Sequence, residues 1–164
     1  MRFILLQHLN LYIVPMQHKI RPASKYDLPA IKSIDKQLFG SESYPSFVLR
    51  QLLDLCGSLF KVAVVEDSIK GYAIAQFDAT TKRAWFLSLG VLANYQGQGI
   101  GRALLSQLLH EVELNGAEMM YLTVMPDNIK AIDLYSSLGF ERLTIENDYY
   151  GDGASRLVMV KTLK

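Results

Sequence analysis

Residues 96–102, Gln-Gly-Gln-Gly-Ile-Gly-Arg, place three glycines within five positions, after an apolar run and before a helical stripe. Glycine loses the most backbone freedom on folding and gives a core nothing to pack. Such a density therefore implies that something comes close to the backbone. At a helix N-terminus the first N–H groups have no intrahelical partner, and the helix dipole adds positive potential. Glycines let those amides curl into a nest without Cβ clashes, and the ligand such a nest suits is a phosphate or pyrophosphate. Three phosphate loops compete. The G-x-x-x-x-G-K-[ST] loop needs a lysine that is missing here. The dinucleotide fingerprint needs G-x-G-x-x-G at the opening of a βαβ unit. Here the spacing is G-x-G-x-G and the strand ends an antiparallel run, which argues against a nicotinamide-dependent oxidoreductase. The third pattern, Gln/Arg-x-x-Gly-x-Gly/Ala, is met by Gln96, Gly99 and Gly101.

The elements that must carry this loop follow from the chain around it. "QHKIRPAS" reads as a short strand, and Ser24 as the N-cap of a helix in which Leu28, Ile31, Ile34 and Leu38 recur at helical spacing. "GSESY" is a loop, and "PSFVLRQLLDL" a second short helix with proline at its first turn. "SLFKVAVVE" and "IKGYAIAQFD" form a hairpin around Asp67-Ser68, and "RAWFLSLGVL" is a third strand. The stripe Ile100, Leu104, Leu105, Leu108, Leu109 and Val112 is a long helix ended by Asn115-Gly116. "EMMYLTVM" is a strand, "AIDLYSSLGF" a helix stopped by Gly139, and "ERLTIENDYY" and "SRLVMVKTL" are closing strands. Strand, helix and strand over residues 85–125 imply a parallel pair with a right-handed crossover. The sum is a mixed α/β sheet with helices on both faces.

Length and charge bound the function. The chain has 164 residues, 50% hydrophobic, which suits one domain with its own core and no need of a metal or disulfide. Its formal charge of +1 argues against nucleic acid as a partner. The lone cysteine, Cys56, sits among leucines and reads as a small buried hydrophobe rather than a nucleophile; its isolation fits a reducing cytoplasm. Residues 1–15 are apolar, but only about a dozen lie between Arg2 and Pro15, with Gln7, His8 and Asn10 interrupting them, against the ~20 needed to span a bilayer. They read as a non-targeting extension: an extra strand, a partner-covering segment, or the result of a start codon upstream of Met16. Residues 16–164 are then the single functional domain.

Taken with "LTVMPDNIKAIDLYSSLGF" and "NDYYGDG", the stretch "LGVLANYQGQGIGRALL" resembles the GNAT acetyltransferases, most closely the RimI-type N-terminal alanine acetyltransferases, over about residues 17–163. The resemblance implies the GNAT fold, a mixed sheet of six or seven strands with about four helices. It implies acetyl-CoA as cosubstrate, no metal, and a primary amine as acceptor, foremost a protein N-terminal α-amine. The alternatives are a small-molecule amine acceptor and a non-catalytic acyl-CoA-binding module. A monomer or homodimer without membrane attachment is expected. Residue by residue, Leu89, Gly90 and Val91 match the strand that meets pantetheine, with a bulge expected at Gly90. Gln96, Gly97, Gln98, Gly99, Ile100, Gly101 and Arg102 match the diphosphate loop. Asn128 matches a cofactor-binding asparagine that also suits a helix N-cap, and Tyr135 matches the general acid. Tyr149 and Tyr150 match an aromatic pair at the acceptor pocket.

One position departs from the pattern. Thr123 stands where RimI-type enzymes carry a glutamate base, and a threonine accepts no proton at neutral pH. His110 falls on the polar side of its helix, and His8 and His18 lie near the N-terminus. Glu42 is the remaining candidate, a distant base acting through water. An α-amine titrates near ~7.8 and a lysine near ~10.4, so freeing the lysine amine costs about 3.5 kcal/mol more at neutral pH. A site without a strong base is therefore better matched to an α-amine.

Overall fold

The computed structural model describes residues 17–163. The expectations for residues 1–15 lie outside the described residues. Seven strands form one sheet in the order β1-β2-β3-β4-β5-β7-β6: β1 (Lys19–Pro22), β2 (Phe60–Val65), β3 (Ser68–Asp78), β4 (Arg83–Val91), β5 (Met119–Val124), β6 (Glu141–Glu146) and β7 (Arg156–Thr162). Four α-helices accompany them: α1 (Leu28–Phe39), α2 (Ser46–Cys56), α3 (Ile100–Leu114) and α4 (Ile129–Ser137). β1 to β4 pair antiparallel in succession, while β4 and β5 are the parallel pair that α3 connects. This is the mixed sheet that the residue patterns imply.

Helices cover both faces, and adjacent residues of β3 show which helix lies where. Tyr72 points at α1, where its hydroxyl donates to Asp35 Oδ1 at 2.6 Å. A Cβ on Gly71, pointing the other way, would lie 3.5 Å from Ile100 of α3. The predicted stripe of α3, from Ile100 to Val112, is buried throughout. Its burial is the main source of that helix's stability, at ~1.5–3 kcal/mol for each large apolar side chain. Cys56 is buried as expected, and burial pushes its thiol pKa up.

Several boundaries differ from the expectations, each for a local reason. Ser24 caps a single 3-10 turn, Lys25–Asp27, and α1 proper starts at Leu28 with Pro29 in its first turn. Pro45 precedes α2 at the N-cap position instead of entering its first turn. The β2–β3 turn is centred on Glu66-Asp67, one residue earlier than Asp67-Ser68, and both residues have positive φ, 47° and 59°. A two-residue hairpin with that handedness matches the twist of its strands. β6 ends at Glu146, so Tyr149 and Tyr150 lie in the loop before β7 and not in a strand.

β4 carries the irregularity that shapes the site. Ile74 pairs with Ser88 and the next residue, Ala75, with Phe86, so Leu87 is an extra residue. Such a bulge bends the strand and switches which face its later side chains address. It lies three residues before Gly90, where the sequence reading expects it. Gly90 is glycine for a packing reason: a Cβ there would sit 2.5 Å from the Tyr72 ring and 3.1 Å from Leu38.

Candidate acyl-transfer site

β4 pairs with β5 only from Arg83 to Phe86, opposite Met119 to Leu122. Beyond the bulge, β4 continues to Val91 with β3 as its partner, and its other edge faces an opening. Leu92 N–H donates to Lys70 O at 2.9 Å, toward β3. By the alternation of an antiparallel ladder, Leu89 and Val91 then turn their N–H and C=O groups toward the opening. Main-chain groups left in this way can accept an added, strand-like ligand.

A cavity of about 450 Å³ lies at the outer end of this opening, with Leu89 and Val91 on one side. Gln96, Gly97, Gly99, Gly101 and Arg102 supply the loop and the start of α3; Asn128, Lys130, Ala131 and Leu134 supply the start of α4. Gly97 and Gly99 have φ of 77° and 84°, the left-handed region that disfavours side chains. Gly101 answers a different need, because its Cβ would have only ordinary contacts with Leu89 and Leu134 but would project toward the cavity wall they form. The first amide paired within α3 is Ala103 N–H, on Gly99 O. The N–H groups of Ile100, Gly101 and Arg102 are left as the helix-start donors. No acidic residue occupies that first turn. A small anion, a diphosphate in particular, fits this set of donors.

Of the eleven residues expected at the cofactor, eight line the cavity; Gly90, Gln98 and Ile100 do not. Gln98 turns out to the surface and donates to Asn94 O, and the Ile100 side chain is core. Arg102 reaches α4, donating to Ser137 Oγ at 2.7 Å. Asn128 caps α4, its Oδ1 accepting from Ala131 N–H at 3.2 Å, while also facing the cavity. Lys130 donates to Gln96 Oε1 at 2.8 Å, and Gln96 Nε2 donates to Val91 O at 2.9 Å.

The inner end of the opening is aromatic. Tyr135 of α4 is 8% exposed and packs edge-on against Phe86 and Phe140, with ring centroids 6.1 Å apart in both cases. Phe86 is the last residue of β4 paired with β5, so the phenol stands where the two strands part. Burial pushes its pKa up to about 12. It therefore holds its proton across the physiological range.

On β5, Thr123 Oγ1 and the Tyr150 hydroxyl are hydrogen-bonded at 2.8 Å. Tyr149 packs edge-on against Tyr150, and the guanidinium of buried Arg156 lies 5.0 Å from the Tyr150 ring centre. Tyr44, after α1, lies near this group: burial raises its phenol pKa, with Tyr150 and then Asp35 adding to the effect. Its backbone N–H donates to Asp35 Oδ2 at 2.6 Å. Asp35 also accepts from Tyr72, whose hydroxyl meets Ser88 Oγ at 3.1 Å beside the bulge. Glu42 is exposed in the turn Gly40–Glu42 and joins none of these contacts.

Sequence reasoning missed Lys130, Tyr44 and the Asp35–Tyr72–Ser88 chain. Two had a visible signal. Lys130 is a cation in the first turn of a helix, against the dipole, and Asp35 is a carboxylate on the apolar spacing of Ile31, Ile34 and Leu38.

The sequence matches the model of the acetyltransferase (GNAT) family over residues 28–140, and the chain belongs to that family. Among its relatives, the N-alpha-acetyltransferase of Sulfurisphaera tokodaii is 31% identical over 158 residues, covering 90% of this chain and 94% of the relative. The crystal structure of the ribosomal-protein-S18-alanine N-acetyltransferase from Escherichia coli superposes with a TM-score of 0.77 at 29% identity, over 90% of this chain and 95% of that one. Ard1 from Thermoplasma volcanium shares the fold with a TM-score of 0.82 at 24% identity, over 90% of this chain and 98% of that one.

Proposed function

We propose that this protein transfers the acetyl group of acetyl-CoA to a protein N-terminal α-amine by direct attack in a ternary complex. The observation that carries the reading is the opening between β4 and β5, with a glycine-built anion nest at one end and the Tyr135 phenol at the other. Acetyl-CoA supplies an acyl thioester, activated relative to an amide. The chain's own groups do the rest. Amides of Gly97 to Arg102 hold the diphosphate, and the outward N–H and C=O of Leu89 with the N–H of Val91 hydrogen-bond the pantetheine amides, Val91 O being held by Gln96. This orients the thioester against the amine, and such positioning lowers the barrier by converting a bimolecular step into an effectively unimolecular one. The amine nitrogen, entering as the neutral amine, forms a bond to the carbonyl carbon, and the C–S bond breaks. The proton that nitrogen loses passes to water. The departing sulfur, held by a hydrogen bond from the Tyr135 hydroxyl, gains a proton to leave as the free thiol. With the phenol raised to about 12, donation of a hydrogen bond is its main service. The low dielectric that raises the phenol also raises the thiol, which narrows the gap for proton transfer.

The relatives named as N-alpha-acetyltransferases support the acceptor class. So does Thr123, which cannot deprotonate a lysine and is bound to Tyr150. The aromatic group of Tyr149, Tyr150 and Tyr44 borders the acceptor, with Glu42 further out at its rim. Residues 16–164 form the transferase domain of a cytoplasmic monomer or homodimer, and no metal takes part. The test is coenzyme A release, followed with a thiol reagent, against peptides with free N-termini, lysine-only peptides and polyamines. Release with free α-amines alone is expected. Release with polyamines alone would move the function to small-molecule acetylation, and binding of acetyl-CoA without release for any amine would leave a non-catalytic acyl-CoA module.

A further inference from the structure

We propose that Lys130 is the cation that neutralises the diphosphate of the cosubstrate, reaching it from α4 because the one charged residue of the loop, Arg102, is held by Ser137 at the far end of that helix. The inference rests on the cofactor reading above. Residues 96–101 contain no charged side chain, and of the residues lining the cavity only Arg102 and Lys130 are cationic. Arg102 is tied to Ser137 at 2.7 Å. Lys130 is spent on a neutral partner: its ammonium donates to the amide oxygen of Gln96 and meets no carboxylate among the described residues.

The position argues the same way. Lys130 is in the first turn of α4, where the helix dipole and the free amides repel a cation. An anion lodged between the starts of α3 and α4 reverses the sign, since both helix ends and the ammonium then attract it. The hydrogen-bonded run from Lys130 through Gln96 to Val91 O joins α4 to the end of β4 across the cavity. Gln96 thus holds the ammonium at the mouth of the nest, and a phosphate oxygen is a stronger acceptor than that amide. Binding exchanges one acceptor for the other and needs no large displacement of the lysine.

The experiment is titration calorimetry of the full chain with coenzyme A, dephospho-coenzyme A (diphosphate present, 3′-phosphate absent) and pantetheine, for the wild type, Lys130→Gln and Lys130→Arg. Lys130→Gln is expected to weaken both coenzyme A and dephospho-coenzyme A by about tenfold, to leave pantetheine unchanged, and to be rescued largely by Lys130→Arg. Equal affinity of Lys130→Gln and wild type for coenzyme A overturns the assignment. A loss that vanishes with dephospho-coenzyme A also overturns it, by moving the contact to the 3′-phosphate. A loss equal for pantetheine points to a general disturbance of the cavity and overturns it too. Failure of the wild type to bind coenzyme A at all removes the cofactor reading itself, a result distinct from the other three.

Discussion

The two ends of the opening between β4 and β5 are built from different materials. The outer end is backbone: the amides of a glycine loop, the start of α3, and the outward edge of Leu89 and Val91. Its geometry is set by φ values and by a break in strand pairing, with few side chains involved. The inner end is side chain: Tyr135 against Phe86, Thr123 against Tyr150, and Asp35 holding Tyr44 and Tyr72. A ligand common to every turnover suits the first kind of construction, because main-chain groups are present whatever the sequence. A surface that must distinguish one amine from another suits the second, because single substitutions retune it.

The comparison predicts separable losses. The largest belongs to Tyr135→Phe, which keeps the ring packing and removes the donor; kcat is expected to fall about 100-fold, the low end for loss of a general acid, with acetyl-CoA affinity intact by calorimetry. Replacing both Gly97 and Gly99 by alanine puts Cβ atoms into left-handed conformations at ~1–2 kcal/mol each. An added Cβ meets nothing within 4 Å at either site. The expected result is therefore an acetyl-CoA Kd raised roughly 30-fold with little change in the far-UV spectrum. Tyr150→Phe should act at the other end alone: the acceptor KM rises by a factor of about 2 to 10, the worth of one hydrogen bond, while the acetyl-CoA KM holds. Crossed effects, with Tyr150→Phe weakening cofactor or the glycine variant altering acceptor choice, would show the two ends to be one unit.

The smallest expected effect concerns stability away from the site. Arg21 donates to both Asp27 oxygens at 2.7 and 2.8 Å, and this pairing holds the Asp27 pKa down at about 2 against an ordinary value near 3.8. A depressed carboxylate stabilises the fold above its unfolded pKa and loses that contribution as pH falls through the folded one. Wild-type stability in urea is therefore expected to gain over Asp27→Asn above about pH 4, with the two converging as pH falls toward about 2.

How much of this was legible in the sequence follows the same division. The glycine loop, the α3 stripe, the Asn128 cap, the β2–β3 hairpin and the β4–α3–β5 crossover are local patterns, so residue type and spacing suffice; the insertion of β7 between β5 and β6 is not local and has no such signal. Gly90 was read as a bulge and is instead a seat for the Tyr72 ring, a contact 18 residues distant in the chain. The bulge at Leu87 left no signal, because its residue type is an ordinary strand former. Reading "ERLTIENDYY" as one strand carries Tyr149 and Tyr150 into it; the loop of residues 147–155, held by Asp148 and Asp152 to its own backbone, ends the strand before them. Tyr44 became visible only once α1 and the β6–β7 loop were brought together. Long-range side-chain assemblies of this kind have no period to read.

Transfer to an α-amine is tested most directly by one peptide carrying both a free N-terminus and an internal lysine, incubated with enzyme and acetyl-CoA at neutral pH and mapped by tandem mass spectrometry. Acetylation confined to the N-terminal nitrogen is expected, and a second peptide with a blocked N-terminus should remain unmodified. Acetyl groups on the lysine at a comparable rate, or on the blocked peptide, would contradict the assignment of a site without a strong base to an α-amine acceptor.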